Sequence, residues 1–398
     1  MGLTHSITSL IMSLSKSILA AILTIVAVES LVRGANPPST TEAARGWDLE
    51  KSAQYLDDRL DLWIAKATKV RTGSAETPCI SCHTVVPYLL ARPVLRQAMH
   101  ANDPTTQEEQ LRRNIAARVN SDGTRAPLFA GKQAASDGTE AVLNALILAC
   151  NDGALRRERP SDITAKAFHQ LWATQRPDGA WDWLDFAKEP NESTDAQYYG
   201  AALAAIAVGM MPAPSTGNGW EVATQLEKLR TYLNDNYASQ NLHHRVWMLL
   251  ASLRLKGLLT PAQRDSLIAE LRRKQNDDGG WSLYGLGPWR WSKTSPPFTP
   301  GEKLDLAHLA KSDGYATGLI TYALRQAGLA LDTPPVKKAT AWLVANQKEL
   351  TANQQIRKGW SAPSLNHDSE HAQSDPLRRM ISSDSANAFA VLALLPLE

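Results

Sequence analysis

From Trp47 onward, two kinds of apolar pattern alternate along the chain. One is amphipathic, with charges on one face, as in Thr106–Val119, Ser161–Thr174, Glu221–Leu233, Pro261–Lys274 and Pro334–Asn346. The other is shorter and dominated by alanine and leucine: Thr139–Ala149, Ala196–Val208, Arg245–Leu255, Tyr315–Ala327 and Ser385–Leu395. A helix apolar all round is buried, whereas an amphipathic one keeps a wet face. The first kind therefore predicts outer helices and the second inner ones. Trp47–Ile64 and Thr84–Met99 supply a first pair, which makes six outer–inner pairs. A repeat of roughly 60 to 70 residues marks stacked supersecondary units. The predicted fold class is all-α: an α6/α6 toroid of six helical hairpins spanning residues 47–398.

Loop signatures follow the same period. Gln175-Arg176-Pro177-Asp178-Gly179-Ala180-Trp181 and Gln275-Asn276-Asp277-Asp278-Gly279-Gly280-Trp281 share the pattern QxxDGxW, and a degenerate copy runs from Gln347 to Gly359-Trp360. A second signature stands at the inner-helix starts: Ser136-Asp137, Thr194-Asp195, Ser312-Asp313 and Ser383-Asp384. Serine, threonine and aspartate cap helix N-termini, and Asp137 with Glu140 has the spacing of a capping box. In a toroid all inner N-termini open at one mouth, so these carboxylates are expected along one rim.

With the QW-type motifs in place, residues 47–398 resemble the terpene cyclase and protein prenyltransferase superfamily, particularly the squalene–hopene cyclases. The resemblance implies the toroid, and it implies an apolar or isoprenoid ligand that such a protein would bind or isomerise. Ser136-Asp137-Gly138-Thr139-Glu140 is similar to the SDCTAE segment of oxidosqualene cyclases, which would make Asp137 the proton donor. The chain has no DxDD acid motif and lacks the length for the second barrel of those enzymes. Asp57-Asp58-Arg59-Leu60-Asp61 matches the DDxxD of ionisation-type synthases but falls on an outer helix, where a solvated face is expected. No cysteine follows Cys150, so the zinc set of prenyltransferases is missing.

Composition adds limits. The chain of 398 residues carries 21% charged residues and a formal charge of +2, which gives nucleic acid no basic surface to bind. Three cysteines exclude a disulfide scaffold, and Cys150, closing an apolar run, reads as a buried thiol. The other two lie in Cys79-Ile80-Ser81-Cys82-His83. CxxCH is the spacing of covalent haem c attachment, in which Cys79 and Cys82 form thioethers and His83 is the proximal iron ligand. A disulfide or a zinc site are the other readings of the pair.

Lys16, the apolar run Ile18–Val28 and Val28-Glu29-Ser30 read as a signal peptide or uncleaved anchor over 1–30, followed by a linker over 31–46. The expectation is export to the periplasm, with membrane association through that segment.

For a distal ligand, Met99 and His100 are disfavoured, because a helix from Thr84 carries them about 24 Å away at about 1.5 Å per residue. Ring closure instead nominates His367 or His371, with His308 and the pair His243-His244 behind them. An open sixth position is equally admissible. Trp172, Trp181, Trp281, Trp342 and Trp360 fall at repeat-equivalent or junction positions and read as packing, while Trp289 and Trp291, in the insert Gly285–Pro300, would form a lid. The leading expectation is an exported haem c protein on a cyclase-like toroid, transferring electrons to an unnamed redox partner or performing redox chemistry on an apolar molecule. The alternatives are an isoprenoid cyclase relative without haem and a non-catalytic binding module.

Overall fold

A computed structural model describes residues 46–72, 75–121, 126–211, 219–289, 306–366 and 380–396. The targeting segment 1–30, residues 31–45 of the linker, Trp291, His367 and His371 lie outside the described residues.

The expected all-α toroid is present. Outer helices are α1 (Leu49–Lys66), α3 (Thr106–Asn120), α5 (Asp162–Ala173), α7 (Gly219–Asn236), α9 (Pro261–Arg273) and α11 (Pro334–Ala345). They alternate with inner helices α2 (Val85–Ala98), α4 (Gln133–Ala154), α6 (Gln197–Met210), α8 (Leu242–Arg254), α10 (Gly314–Gln326) and α12 (Ile381–Leu394). Each inner helix packs on the next in the order α2, α4, α6, α8, α10, α12, and α12 returns to α2, so the ring is closed. Composition sets the layers: α6 is buried continuously from Tyr198 to Ala207, while α9 buries only Leu267, Ile268 and Leu271. No helix among the described residues is long and apolar enough to cross a membrane.

Local chemistry fixes the helix starts. Thr105 and Glu108 form a reciprocal capping box on α3, and Thr260 with Gln263 forms another on α9 behind a proline at the first turn. The expected aspartate caps are realised only in part. Asp313 caps α10 by accepting from the Ala316 amide at 2.8 Å. Helix α4 instead starts at Gln133, a turn before Asp137, and α12 starts at Ile381, so Asp137 and Asp384 lie inside helices.

The QxxDGxW loops share one geometry. Gln175 donates to the carbonyls of Gly179 and Gln225, at 3.1 and 2.9 Å, while Trp181 Nε1 donates to Leu171 O at 2.8 Å. Gln275 and Trp281 repeat this with Gly279, Pro335 and Leu271, at 2.8 Å each. Gly179 sits at φ +95°, and a Cβ there would overlap the Lys228 carbonyl, so the loop requires glycine.

In the first and sixth repeats a β-hairpin takes the loop's place, and the sequence reading did not foresee either. β1 (Lys69–Thr72) pairs antiparallel with β2 (Ala75–Pro78), and β3 (Lys348–Ala352) with β4 (Gln355–Gly359). Asn353 and Gln354 at φ +47° and +64° form the two-residue turn of the second hairpin. Strand β4 packs on α1, where Arg357 pairs with Asp58 at 2.8 Å. Gln347, from the degenerate copy, spans the seam by accepting from the Asp48 amide at 2.7 Å and donating to Ser52 Oγ at 2.9 Å. The DDxxD carboxylates are thus not a free solvated face, since Asp57 also pairs with Arg92 of α2 at 2.9 Å.

Candidate ligand site at the toroid mouth

Residues 79–83 form a tight turn leading into α2. Ser81 Oγ accepts from the amides of Thr84 and Val85 at 3.0 and 3.1 Å, and the Cys79 carbonyl accepts from Trp63 Nε1 at 2.7 Å. Both thiols face the core, at 9% and 4% exposure for Cys79 and Cys82. Burial pushes the Cys79 thiol up to about 12 and Cys82 well above its usual value, so both are held as neutral thiols.

His83 is oriented by a chain of hydrogen bonds across the ring seam. Arg59 donates bidentately to Asp384, at 2.6 and 3.0 Å, and the Tyr55 hydroxyl donates to the same carboxylate at 3.1 Å. Thr84 Oγ1 gives its hydrogen to Asp384 Oδ2 at 2.8 Å. Having donated, that hydroxyl accepts from His83 Nδ1 at 3.2 Å. The proton is therefore on Nδ1, and Nε2 keeps its lone pair. Burial, with Arg59 and Lys188 adding to it, lowers His83 to about 3, so the ring is neutral. Trp63 packs edge-on against it, with centroids 5.3 Å apart.

Two further groups face this turn. The loop 185–193 folds back through paired backbone hydrogen bonds between Lys188 and Glu192. Glu192 lies close enough to Cys79, Cys82 and Tyr199 to act on each electrostatically. Burial raises its carboxyl from the ordinary value, against the opposing charge of Lys188. On the other side stand the rings of α6, α8, α10 and α12: Tyr199, His243, Trp247, Tyr315 and Phe389, in tilted and edge-to-face contacts 5.1 to 6.3 Å between centroids. His244 ties the loop to α8 through a contact between Nε2 and Pro190 O at 3.3 Å. The result is a buried aromatic cluster whose histidines are neutral.

The sequence-predicted residues are distributed unevenly. Cys79, Cys82 and His83 lie together at the mouth, and His243 and His244 line the same end. Asp137 is partly exposed and accepts from Gln133 at 2.8 and 2.9 Å, which is not the dry pocket a proton-donating acid requires. His308 is exposed on the helical turn Leu306–Leu309. Trp289 is 2% exposed and donates to Tyr284 O at 3.0 Å, so it is part of the packing. Lys188, Glu192, Tyr199 and Tyr315 were missed. Nothing local marks them, because they meet only through the ring.

No protein-family model matches the chain, and no curated protein matches it. Among solved structures it is similar to an unsaturated glucuronyl hydrolase of Bacillus sp. GL1, described as responsible for glycosaminoglycan degradation, at 12% identity and a TM-score of 0.48 over 87% of this chain and 96% of that one. A second is a UGL variant described with the saccharide dGlcA-Glc-Rha-Glc, at 11% identity and a TM-score of 0.47 over the same shares. These scores carry no substrate to this chain.

Several expectations are corrected here. The structural neighbours are glucuronyl hydrolases and not squalene–hopene cyclases, so the cyclase resemblance and isoprenoid cyclisation are withdrawn. Haem redox chemistry and electron transfer are withdrawn with them. Among the described residues no group of three or more His, Cys, Asp or Glu side chains is arranged to hold a metal. His243, one of the reserve iron ligands, has its Nε2 engaged by Tyr315 at 2.8 Å and Trp247 at 3.3 Å.

Proposed function

We propose that the toroid mouth binds an uncharged, hydroxyl-bearing molecule such as a sugar, and that Glu192 serves there as a general acid. The observation that carries the reading is the Asp384–Thr84–His83 chain, which fixes a neutral imidazole with its Nε2 lone pair free. That atom is a hydrogen-bond acceptor for a ligand hydroxyl. Burial raises the Glu192 carboxyl, the direction that favours an acid giving its proton to the leaving oxygen while a water adds to the freed carbon and returns a proton to the carboxylate. Beside it lie buried aromatic rings and two neutral imidazoles, groups common in small-molecule sites. A charged ligand would lose its hydration there for little return, while a neutral polyol finds both donors and acceptors.

The test is a panel of neutral aryl glycosides and their glucuronide counterparts, with calorimetry for binding. A neutral glycoside should be turned over, and Glu192→Gln should lower kcat by about 100-fold or more with KM little changed. The absence of both turnover and millimolar binding for every neutral sugar in the panel would overturn the reading.

A further inference from the structure

His243, the second residue of α8, is wholly buried. Its two ring nitrogens are in opposite situations. Trp247 Nε1, which can only donate, points at His243 Nε2 from 3.3 Å, and the Tyr315 hydroxyl lies 2.8 Å from the same nitrogen. Nε2 must therefore present its lone pair, with Tyr315 donating as well. With the Nε2 lone pair so engaged, the imidazole is the neutral tautomer that carries its proton on Nδ1. Nδ1 has no hydrogen-bond partner among the described residues. A buried donor left unmatched costs about 1–3 kcal/mol, and this one is held in place by two fixed neighbours.

Its surroundings indicate what fits. The rings of His244, Trp289, Tyr315 and Tyr199 stand around the imidazole, with centroids at 5.5, 5.8, 5.8 and 6.3 Å. The matching atom is an oxygen acceptor on a body that aromatic faces can cover.

We infer that His243 Nδ1–H is a positioning donor that receives a hydroxyl or ring oxygen of the uncharged ligand bound at the mouth. This rests on the reading of the mouth given above, and it adds the direction from which the ligand is held. His83 Nε2 accepts from the ligand on one side, and His243 Nδ1 donates to it on the other. The polarity is fixed on both sides by hydrogen bonds within the protein, so the site distinguishes an acceptor from a donor at the His243 end.

The test uses the full ¹⁵N-labelled chain and long-range ¹H–¹⁵N spectra, which report the tautomer of each histidine. In the free protein at neutral pH His243 should be protonated on Nδ1, and adding D-glucose should shift that resonance. Glucuronate should shift it less at equal concentration. His243→Phe, which keeps the ring and removes the donor, should weaken glucose binding at least tenfold. Protonation on Nε2 in the wild-type protein overturns the inference whatever the variant does. A resonance unmoved while calorimetry shows glucose bound also overturns it, assigns the donor to a buried water, and leaves the mouth reading standing. If no neutral sugar binds while the Nδ1 tautomer is confirmed, the mouth reading fails and the ligand role of His243 falls with it.

Discussion

Arg59, on the first outer helix, and Asp384, on the last inner helix, form a bidentate ion pair at 2.6 Å with both side chains 2% exposed. Tyr55 and Thr84 complete the carboxylate's shell. The pair joins the seam of the ring and holds His83, so stability and site geometry depend on the same contact. Removing one member takes the bidentate partner from a buried charge, which costs about 3–5 kcal/mol. Asp384→Asn and Arg59→Met should each lose that much in urea unfolding. A loss below 1 kcal/mol in either variant would show that water reaches the pair.

The orientation of His83 has its own test. Thr84→Val removes the hydroxyl that accepts from Nδ1 and donates to Asp384. Stability should fall by about 1 kcal/mol, and the imidazole should redistribute between tautomers, as seen in its ¹⁵N shifts. An unchanged Nδ1–H form would mean that something other than Thr84 sets it.

The acid limb of stability follows from the buried histidines. His83 and His244 are lowered to about 3 and about 4, and His243 well below its ordinary value, so the unfolded chain binds protons that the folded one refuses. Their contribution is present above pH 6.5 and lost as pH falls toward 4, with a slope of up to about 1.4 kcal/mol per pH unit for each ring. Asp313 works the other way. Burial raises it to about 7 against the amides of Ala316 and Leu283, so its share is present at low pH and lost as pH rises through 7. Asp313→Asn should therefore steepen the acid loss between pH 6.5 and 4. A shallower slope in that variant would contradict the assignment.

Cys79 and Cys82 should resist alkylation in the native protein, since burial keeps both protonated and out of reach. Iodoacetamide labelling at pH 8 should proceed only as fast as the chain opens. Labelling within seconds without denaturant would show that the turn 79–83 opens independently.

The QxxDGxW tryptophans anchor the ring away from the seam, buried and bonded to the preceding outer helix. Trp281→Ala removes a 1%-exposed indole and its bond to Leu271 O, and should cost about 3–5 kcal/mol in chemical denaturation. Gln275→Ala, which leaves the Gly279 and Pro335 carbonyls unmatched, should cost about 1–3 kcal/mol. A smaller loss for Trp281→Ala than for Gln275→Ala would invert the proposed roles.

The ring of helices was legible in the sequence because burial all round and burial on one face leave different compositions, and the two alternate six times. The hairpins were not, since β3 and β4 are five-residue strands of mostly polar residues whose partner surface is α1, far away in sequence. Asp137 and Asp384 read as caps because helix starts were placed by residue type alone. The backbone of α4 begins a turn earlier, and the Asp384 carboxylate finds Arg59 instead of an amide. The cysteine–histidine turn lies between α1 and α2, and motif spacing alone does not report that its thiols face the core.

Gln347 and Asp48 touch across 299 positions of chain. When a ribosome makes this protein, the first outer helix therefore emerges with its final neighbours not yet translated. Five hairpins can stack as they appear, but the polar groups on the flank of α1 stay unmatched until the sixth arrives. Contacts of such long sequence separation are slow to form, because the entropy of closing the loop is spent before they repay it. Assembly should thus end in one late step, when an open spiral of hairpins shuts into a ring, and the site at the mouth is completed only then.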